Sequence, residues 1–494
     1  MIAETPFDTV AACIRRHAQQ RPEALALADD ERALNYAELD ALMDRIAAAL
    51  QRDGIAPGEC IATCATPSVM QAALFLGALR AGVVVAPLAP GSTPAALARM
   101  REDAQARRLF DDEDLARLDA WLAPPGARPA PVEIRPESPF NIIYSSGTTG
   151  EPKGIVQPHG MRWAHVKRGL PYGYGPQAVT LLATPLYSNT TLVVFFPSIA
   201  FGGAVVLMRK FDARRYLEIA QRVRATHTML VPVQYQRLMA LPDVESFDLS
   251  AFRTRFCTSA PFPAALKAEV LRRWTGGLVE FYGMTEGGGT CILEAHAHPG
   301  KLHTVGRPAP GTDMRLIDEA GRELPTGETG EVVGHSPGMM VGYYRRPEAT
   351  REAEWFDAQG KRFIRTGDVG RFDADGFLIL LDRRKDMIIS GGFNIYPSDL
   401  EAQLREHPAV AEAAVVGVPS TEWGETPVAF VVLRPGARDG ADALRAWLNA
   451  RVGKTQRLAA LHVVNELPRS SIGKVLKRKL REQHALYSVA QTDR

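Results

Sequence analysis

A chain of 494 residues is long enough for two or three domains with ample buried core. Hydrophobic residues at 46% and charged residues at 23% are the proportions of an ordinary globular protein, and a formal net charge of +2 excludes the strongly basic balance expected of a nucleic-acid partner. Five cysteines (Cys13, Cys60, Cys64, Cys257, Cys291) are sparse, odd in number and not at zinc spacing, so they read as buried thiols. Together with an acid-bearing start that has no apolar signal segment, they predict a cytoplasmic protein.

In chain order, residues 70–81 read as a helix and 83–87 as a buried strand. An apolar run at 140–143 leads into Tyr144-Ser-Ser-Gly-Thr-Thr-Gly-Glu-Pro-Lys153-Gly154. The ten positions after Tyr144 hold three glycines, four hydroxyl side chains and one lysine. Glycine lets backbone N–H groups approach an anion, and lysine adds a mobile charge, so the loop suits a polyphosphate. Its spacing is not that of a P-loop NTPase. Residues 169–208 carry no charge, but Pro185, Pro197 and Gly202-Gly203 interrupt them. No apolar run of about 20 residues remains to span a membrane, and a buried helix and strand lining a pocket are predicted.

Helix then strand recurs at 213–225 and 228–231, and again at 264–274 and 278–281, which argues an α/β architecture with largely parallel, helix-flanked sheets. His296, His298 and His303 read as loop histidines. Past Val305, closely spaced turn signals between short strands such as 314–317 and 330–333 indicate a β-rich subdomain. The last hundred residues form a small α+β unit: helix 398–406, strands 410–416 and 428–433, helix 442–452. The polar stretch Asp382-Arg-Arg-Lys-Asp386 before it suits a hinge. The predicted organisation is a large N-terminal domain at 1–382, a hinge at 383–385 and a small mobile C-terminal domain at 386–494.

Four further polar islands have both a local and a functional reading. Phe281-Tyr-Gly-Met-Thr-Glu286-Gly-Gly-Gly289 runs from a strand end into an acid, where α/β proteins gather ligands and a carboxylate could hold Mg2+ or simply cap a turn. Asp368, closing Arg365-Thr-Gly-Asp368, suits two vicinal hydroxyls or a turn. A solvated charge run accounts for Asp382 to Asp386 but not for the Ser390-Gly-Gly392 that follows. Lys474, in Pro468-Arg-Ser-Ser-Ile-Gly-Lys474, is a loop lysine with either a solvent-facing or a catalytic role.

In this order and at these distances the islands resemble the core motifs of the adenylate-forming superfamily, which includes acyl- and aryl-CoA synthetases, nonribosomal-peptide adenylation domains and firefly luciferase. The resemblance runs from about Phe7 to Leu480. Residues 144–154, 338–350 and 390–397 are most similar to the 4-coumarate-CoA ligase and fatty-acyl-CoA ligase branch. It implies ATP, Mg2+ and coenzyme A. Ser145, Ser146, Gly147, Thr148, Thr149, Gly150 and Lys153 would then hold the β- and γ-phosphates. Ser259, Ala260 and Pro261 would pack adenine, with Ser259 where glycine is more usual, and Tyr282 and Gly283 would lie nearby. Thr285 would bind the α-phosphate and Glu286 the Mg2+. Asp368 and Arg383 would take the ribose, and Lys474 would reach the carboxylate and α-phosphate oxygens. Lys385 matches the hinge, and Lys210, Gly391 and Gly392 match positions that meet coenzyme A.

The same resemblance lines an acyl pocket with Tyr187, Ser188, Asn189, Phe195, Gln234, Ser259, Ala260, Gly283 and Gly287, Gly288, Gly289 up to Thr290. Relatives carry a tunnel-gating histidine where this chain has Ser188. No aspartate lies between residues 170 and 208 to pair with an amino group, which disfavours an α-amino acid. Three glycines leave room, and Ser188, Asn189 and Thr290 can hydrogen-bond a ring substituent, so an aromatic acid is preferred. A medium-chain fatty acid, and a carrier-protein thiol acting in trans as acceptor, are the alternatives.

Overall fold

The computed structural model describes residues 6–145, 153–383, 386–390, 393–420, 423–453, 456–470 and 473–492. The chain divides into two compact units, one of residues 1–314 with 333–365, the other of residues 315–332 with 366–494.

The first unit holds two large sheets. The nine-stranded sheet has a parallel centre in which Gly277–Gly283, Thr254–Cys257, His227–Leu230, Val179–Leu182 and Ala204–Leu207 are neighbours, with antiparallel strands at both edges. The six-stranded sheet runs Gly342–Tyr343, Lys153–Pro158, Pro139–Ser145, Val84–Pro87, Cys60–Cys64, Leu109–Asp111. The helices Val69–Arg80 and Asn189–Ala200 are apolar nearly all round, as helices buried on more than one side must be. Their Phe75, Leu76, Phe195 and Phe196 share one core with Val85 and Phe140 of the smaller sheet and Leu182 and Val205 of the larger. The uncharged stretch at 169–208 thus becomes the strands Val179–Leu182 and Ala204–Leu207 and a buried helix that continues through Pro197 instead of breaking there. Among the described residues no helix is long and apolar enough to cross a membrane.

Predicted and observed elements differ mainly at their ends. The helix expected at 213–225 stops at Arg222, because Arg224 takes a φ of +50° that ends the right-handed turn. Past Val305 strands dominate, from Asp313–Ile317 to Leu378–Arg383, with the single short helix Pro347–Glu352 among them.

In the second unit, Val410–Ser420 and Gly424–Leu433 pair antiparallel over their whole length, longer than the predicted strands because their polar ends continue the ladder to Ser420 and Gly424. Strand periodicity gives this sheet two apolar faces. Val415 and Val431 pack with Leu404 and Leu448 of the helices Pro397–Glu406 and Ala441–Asn449. Val416 and Phe430 pack with Leu480 of the helix Lys477–Thr492 on the other face.

Burial pushes His159 and His227 of the first unit down to about 4. In the unfolded chain an imidazole titrates near 6.5, so between the two values the unfolded state binds the extra protons. This contribution to stability is intact above pH 6.5 and is lost as the pH falls toward 4. By pH 5 the loss is about 2 kcal/mol for each histidine. Urea unfolding followed at pH 7 and pH 5 is expected to show that drop, and equal stability at the two would mean that folding does not depress the pKa of either ring.

Candidate active site

The strand Gly277–Gly283 is buried and parallel to its neighbour, and its polypeptide leaves the sheet edge as Met284, Thr285 and Glu286 before returning as Thr290–Glu294. This is where a parallel sheet presents ligand-binding groups. Met340 N donates to Glu286 O at 2.8 Å, and Tyr343 Oη donates to Glu286 Oε1 at 2.9 Å. The Lys153 ammonium lies 5.1 Å from the centre of the same Tyr343 ring. Burial, then the neighbouring Glu286 carboxylate, raises the Tyr343 phenol well above its usual range, so Tyr343 remains a donor. One tyrosine therefore lies between the lysine and the acid that the sequence assigned separately to phosphate and metal.

Behind Thr285 is a buried polar network. Gln157 Nε2 donates to Thr285 O at 2.6 Å and Asn141 Nδ2 to Gln157 Oε1 at 3.0 Å. Arg162, 1% exposed, donates through Nε to Asn141 Oδ1 at 3.0 Å, through Nη1 to Asn189 Oδ1 at 2.8 Å, and through Nη2 to Gln157 Oε1. Burial lowers its pKa to about 9. The guanidinium also lies near the rings of Phe140 and Phe196, which favour a cation.

The pocket residues fall into distinct roles. Ser188 caps the Asn189–Ala200 helix by accepting from Thr190 N at 3.3 Å. Thr190 and Ser259 share a hydroxyl–hydroxyl hydrogen bond. Ser259 has a φ of +83°, a region that only glycine enters without strain, which gives a physical reason for glycine being more usual there. Ala260 is half-buried and Pro261 exposed beside it; Tyr187 is half-buried. Tyr282 and Gly283 pair with Cys291 and Thr290 on the returning strand.

Three expectations need revision. Phe195 is 1% exposed and packed in the central core against Phe196, away from any open surface. Both ends of the Gln234 side chain are occupied, its amide donating to Ala183 O and its carbonyl oxygen accepting from Val231 N, each at 3.0 Å. The glycines at 287–289 leave no room on their Cβ side. A Cβ on Gly287 would strike Gly338 O, one on Gly288 would meet Ile364, and one on Gly289 would strike Met314 Sδ. At Gly287 the absent side chain lets two backbones approach, and at Gly288 and Gly289 it makes room for Ile364 and Met314.

Lys210 is exposed in a turn after Ala204–Leu207. Asp368, Arg383 and Lys474 belong to the second unit. Asp368 lies directly across an antiparallel pair from Arg383, with its N–H donating to Thr366 Oγ1 at 3.0 Å. Lys474 sits on a built turn: its N–H donates to Ser470 Oγ at 3.2 Å, Ser470 N donates to its carbonyl at 2.8 Å, and Gly473 takes a φ of +79°. Ser145 ends a strand, whereas Ser146, Gly147, Thr148, Thr149, Gly150, Lys385, Gly391 and Gly392 lie outside the described residues.

A family profile described as AMP-binding enzyme matches residues 14–344, and one described as AMP-binding enzyme C-terminal domain matches residues 399–474. The chain belongs to the AMP-binding enzyme family. It is 35% identical over 489 residues to a feruloyl-CoA synthase of Amycolatopsis sp, covering 95% of this chain and 97% of that protein. It is 32% identical over 496 residues to the fatty acid--[acyl-carrier-protein] ligase ScoC of Streptomyces coeruleorubidus, covering 94% and 95%. Among solved structures, the amide bond synthetase McbA from Marinactinospora thermotolerans superposes with a TM-score of 0.85 at 30% identity, covering 96% of this chain and 99% of that one. The resemblance to the adenylate-forming superfamily and the α/β fold it implied both hold for this AMP-binding enzyme.

An AMP-binding enzyme that takes ATP needs a divalent cation, and the residues present fit one. Mg2+ keeps several waters and binds through one or two carboxylates plus substrate phosphates. Tyr343 bonds Oε1 of Glu286, and a carboxylate has a second oxygen with which it could hold a cation. Among the described residues no group of three or more His, Cys, Asp or Glu could hold a metal ion.

The sequence reading missed Tyr343, Gln157, Arg162 and Arg168. Tyr343 lay within a quoted motif, and its polar neighbours were the only hint. For Gln157 the available signal was a polar residue following the apolar Ile155-Val156, whereas Arg162 and Arg168 stand among other basic residues and gave none. Tyr343→Phe removes a hydrogen bond to a charged group worth about 1.5–3 kcal/mol, so ATP binding with Mg2+ should weaken roughly tenfold or more. Calorimetry with and without EDTA checks this: the loss should appear only when Mg2+ is present.

Proposed function

We propose that this AMP-binding enzyme is an ATP-dependent acid:CoA ligase that activates an aromatic carboxylic acid. Acid and ATP give acyl-AMP and pyrophosphate, and acyl-AMP and CoA then give acyl-CoA and AMP. The observation that carries the reading is the row Lys153, Tyr343 and Glu286 beside Thr285, a cation and an acid held together at the end of a buried parallel strand. A carboxylate attacking ATP brings two anions together, so the reaction needs positive charge where it develops. In this reading Lys153 and the loop at residues 145–150 hold the β- and γ-phosphates, and Thr285 the α-phosphate. Ser259, Ala260, Pro261, Tyr282 and Gly283 surround adenine. Asp368, with Arg383 across the ladder, takes the ribose hydroxyls. Lys474 neutralises charge on the carboxylate and α-phosphate during the first half-reaction. Mg2+ on Glu286 would supply further charge neutralisation at the phosphates.

The proposed domains are residues 1–382 and 386–494 with a hinge at 383–385. Rotation about Lys385 would withdraw Lys474 and bring Gly391 and Gly392 to the pantetheine arm, with Lys210 meeting the CoA nucleotide. Tyr187, Ser188 and Asn189 border the acyl group. The printed name of the feruloyl-CoA synthase relative supports an aromatic acid and a CoA acceptor, and that of ScoC supports testing a fatty acid and a carrier-protein thiol. Free cysteines and the absence of a spanning helix among the described residues support a cytoplasmic location.

Pyrophosphate release should be measured across aromatic and aliphatic acids, each with CoA and with a phosphopantetheinylated carrier. Aromatic acids with CoA are expected to give the highest kcat/KM, and release with no acid in the panel would overturn the reading. Lys474→Ala should abolish adenylate formation, with a loss of at least about a hundredfold as for a removed charge-stabilising donor. It should still form thioester from supplied acyl-AMP. Wild-type adenylation by that variant would remove Lys474 from the chemistry.

A further inference from the structure

The helix His159–Arg168 carries three basic groups at intervals of three residues, Arg162, His165 and Arg168, and so along one side. Burial, then the positive neighbours Arg162 and Arg168, pushes His165 well below its usual range, so it stays neutral. Each nitrogen of Arg162 donates to a side-chain amide, which holds the chain behind Thr285. Arg168 is different. Its Nη1 donates to Thr290 Oγ1 at 3.1 Å, across 122 residues of sequence, and among the described residues no carboxylate pairs with it. Arg168 is half-buried, and burial lowers its pKa from the usual arginine value.

Thr290 opens the strand that returns beside Gly283, and its hydroxyl would lie 3.3 Å from a Cβ placed there. Gly283 itself is exposed. The Arg168 guanidinium therefore reaches the border of the acyl pocket through a hydroxyl already suited to a ring substituent. A guanidinium has five N–H donors, and a neutral hydroxyl uses one of them. Taking a cation out of water without an acid to pair it is unfavourable, and a ligand that brings an oxygen acceptor relieves that cost. A helix C-terminus would also welcome an arginine, but that role asks only for charge near the last carbonyls, not for reach to Thr290.

The geometry points to Arg168, with Thr290, as a specificity-determining pair for an oxygen acceptor at the far end of the substrate acid, either a ring hydroxyl or a second carboxylate. This rests on the acid-activating reading above. It makes the preferred substrate an oxygen-substituted aromatic acid rather than a bare one. It also removes the need for the space once expected beside Gly287, Gly288 and Gly289, because recognition comes from the helix side of the pocket.

The test compares four arms of one cinnamate-type acid whose far end carries hydrogen, methyl, hydroxyl or carboxylate, with pyrophosphate release as the readout. Wild-type enzyme should favour the hydroxyl or the carboxylate arm over hydrogen and methyl by about ten- to a hundredfold in kcat/KM, carried by KM. The better of the two oxygen arms identifies the source of the acceptor. Arg168→Met should collapse that ratio toward one, and Arg168→Lys should restore part of it, with thermal melting used to show that both variants fold. A wild-type enzyme that treats the methyl and oxygen arms alike, or an Arg168→Met enzyme that keeps the ratio, overturns the proposal while leaving acid activation standing. Failure of every arm and of the wider acid panel would instead remove the activation reading itself.

Discussion

The buried guanidinium of Arg162 is the interaction on which the candidate site of the first unit depends. It is held by three neutral amides, Asn141, Gln157 and Asn189, and among the described residues no carboxylate pairs with it. Those amides come from the strands Pro139–Ser145 and Lys153–Pro158 and from the start of the Asn189–Ala200 helix, and Gln157 passes the connection to Thr285 O. Four segments that carry proposed nucleotide and acyl contacts are thus fixed to one planar, five-donor group. A buried network of this kind is stabilising only when every member is satisfied, which ties the positions of its members to one another. Its positive charge would also favour the anions that the proposed function brings to this site.

The site itself follows the same logic at its surface. Tyr343 comes from a short edge strand of the six-stranded sheet, yet its hydroxyl holds Glu286 while its ring faces Lys153. In the proposed function Lys153 and Glu286 serve opposite partners, phosphate and cation, and gain by being kept from neutralising one another directly. A tyrosine between them does this, because it offers its ring face to the ammonium and its donor to the carboxylate. The packed glycines at 287–289 serve the same end, since close backbone approach brings Met340 N onto Glu286 O.

Much of the fold was legible from periodicity. The alternation of amphipathic and β-branched segments identified the α/β class, and the uncharged stretch at 169–208 resolved into two strands and a buried helix, although that helix runs through Pro197, where a break was expected. Motif order was enough to reach the family. The acyl pocket was least legible. Phe195 and Gln234 were assigned to it by position along the chain, whereas packing turned one into the core and used both polar ends of the other on backbone groups. Glycine at 287–289 has the same appearance in sequence whether it faces a void or a neighbouring backbone.

Local pattern by itself determined which segments fold as helix or strand, because that depends on neighbours two to four positions away. It also determined where glycine, lysine and acid stand in the order that an adenylate-forming enzyme uses. Tertiary structure alone decided which of those groups touch. Tyr343 meets Glu286 across 57 residues, Arg168 meets Thr290 across 122, and Gln157 meets Thr285 across 128. No local period carries information over such separations. They are set by how two sheets close on shared helices, and only that closure turns scattered polar residues into a site.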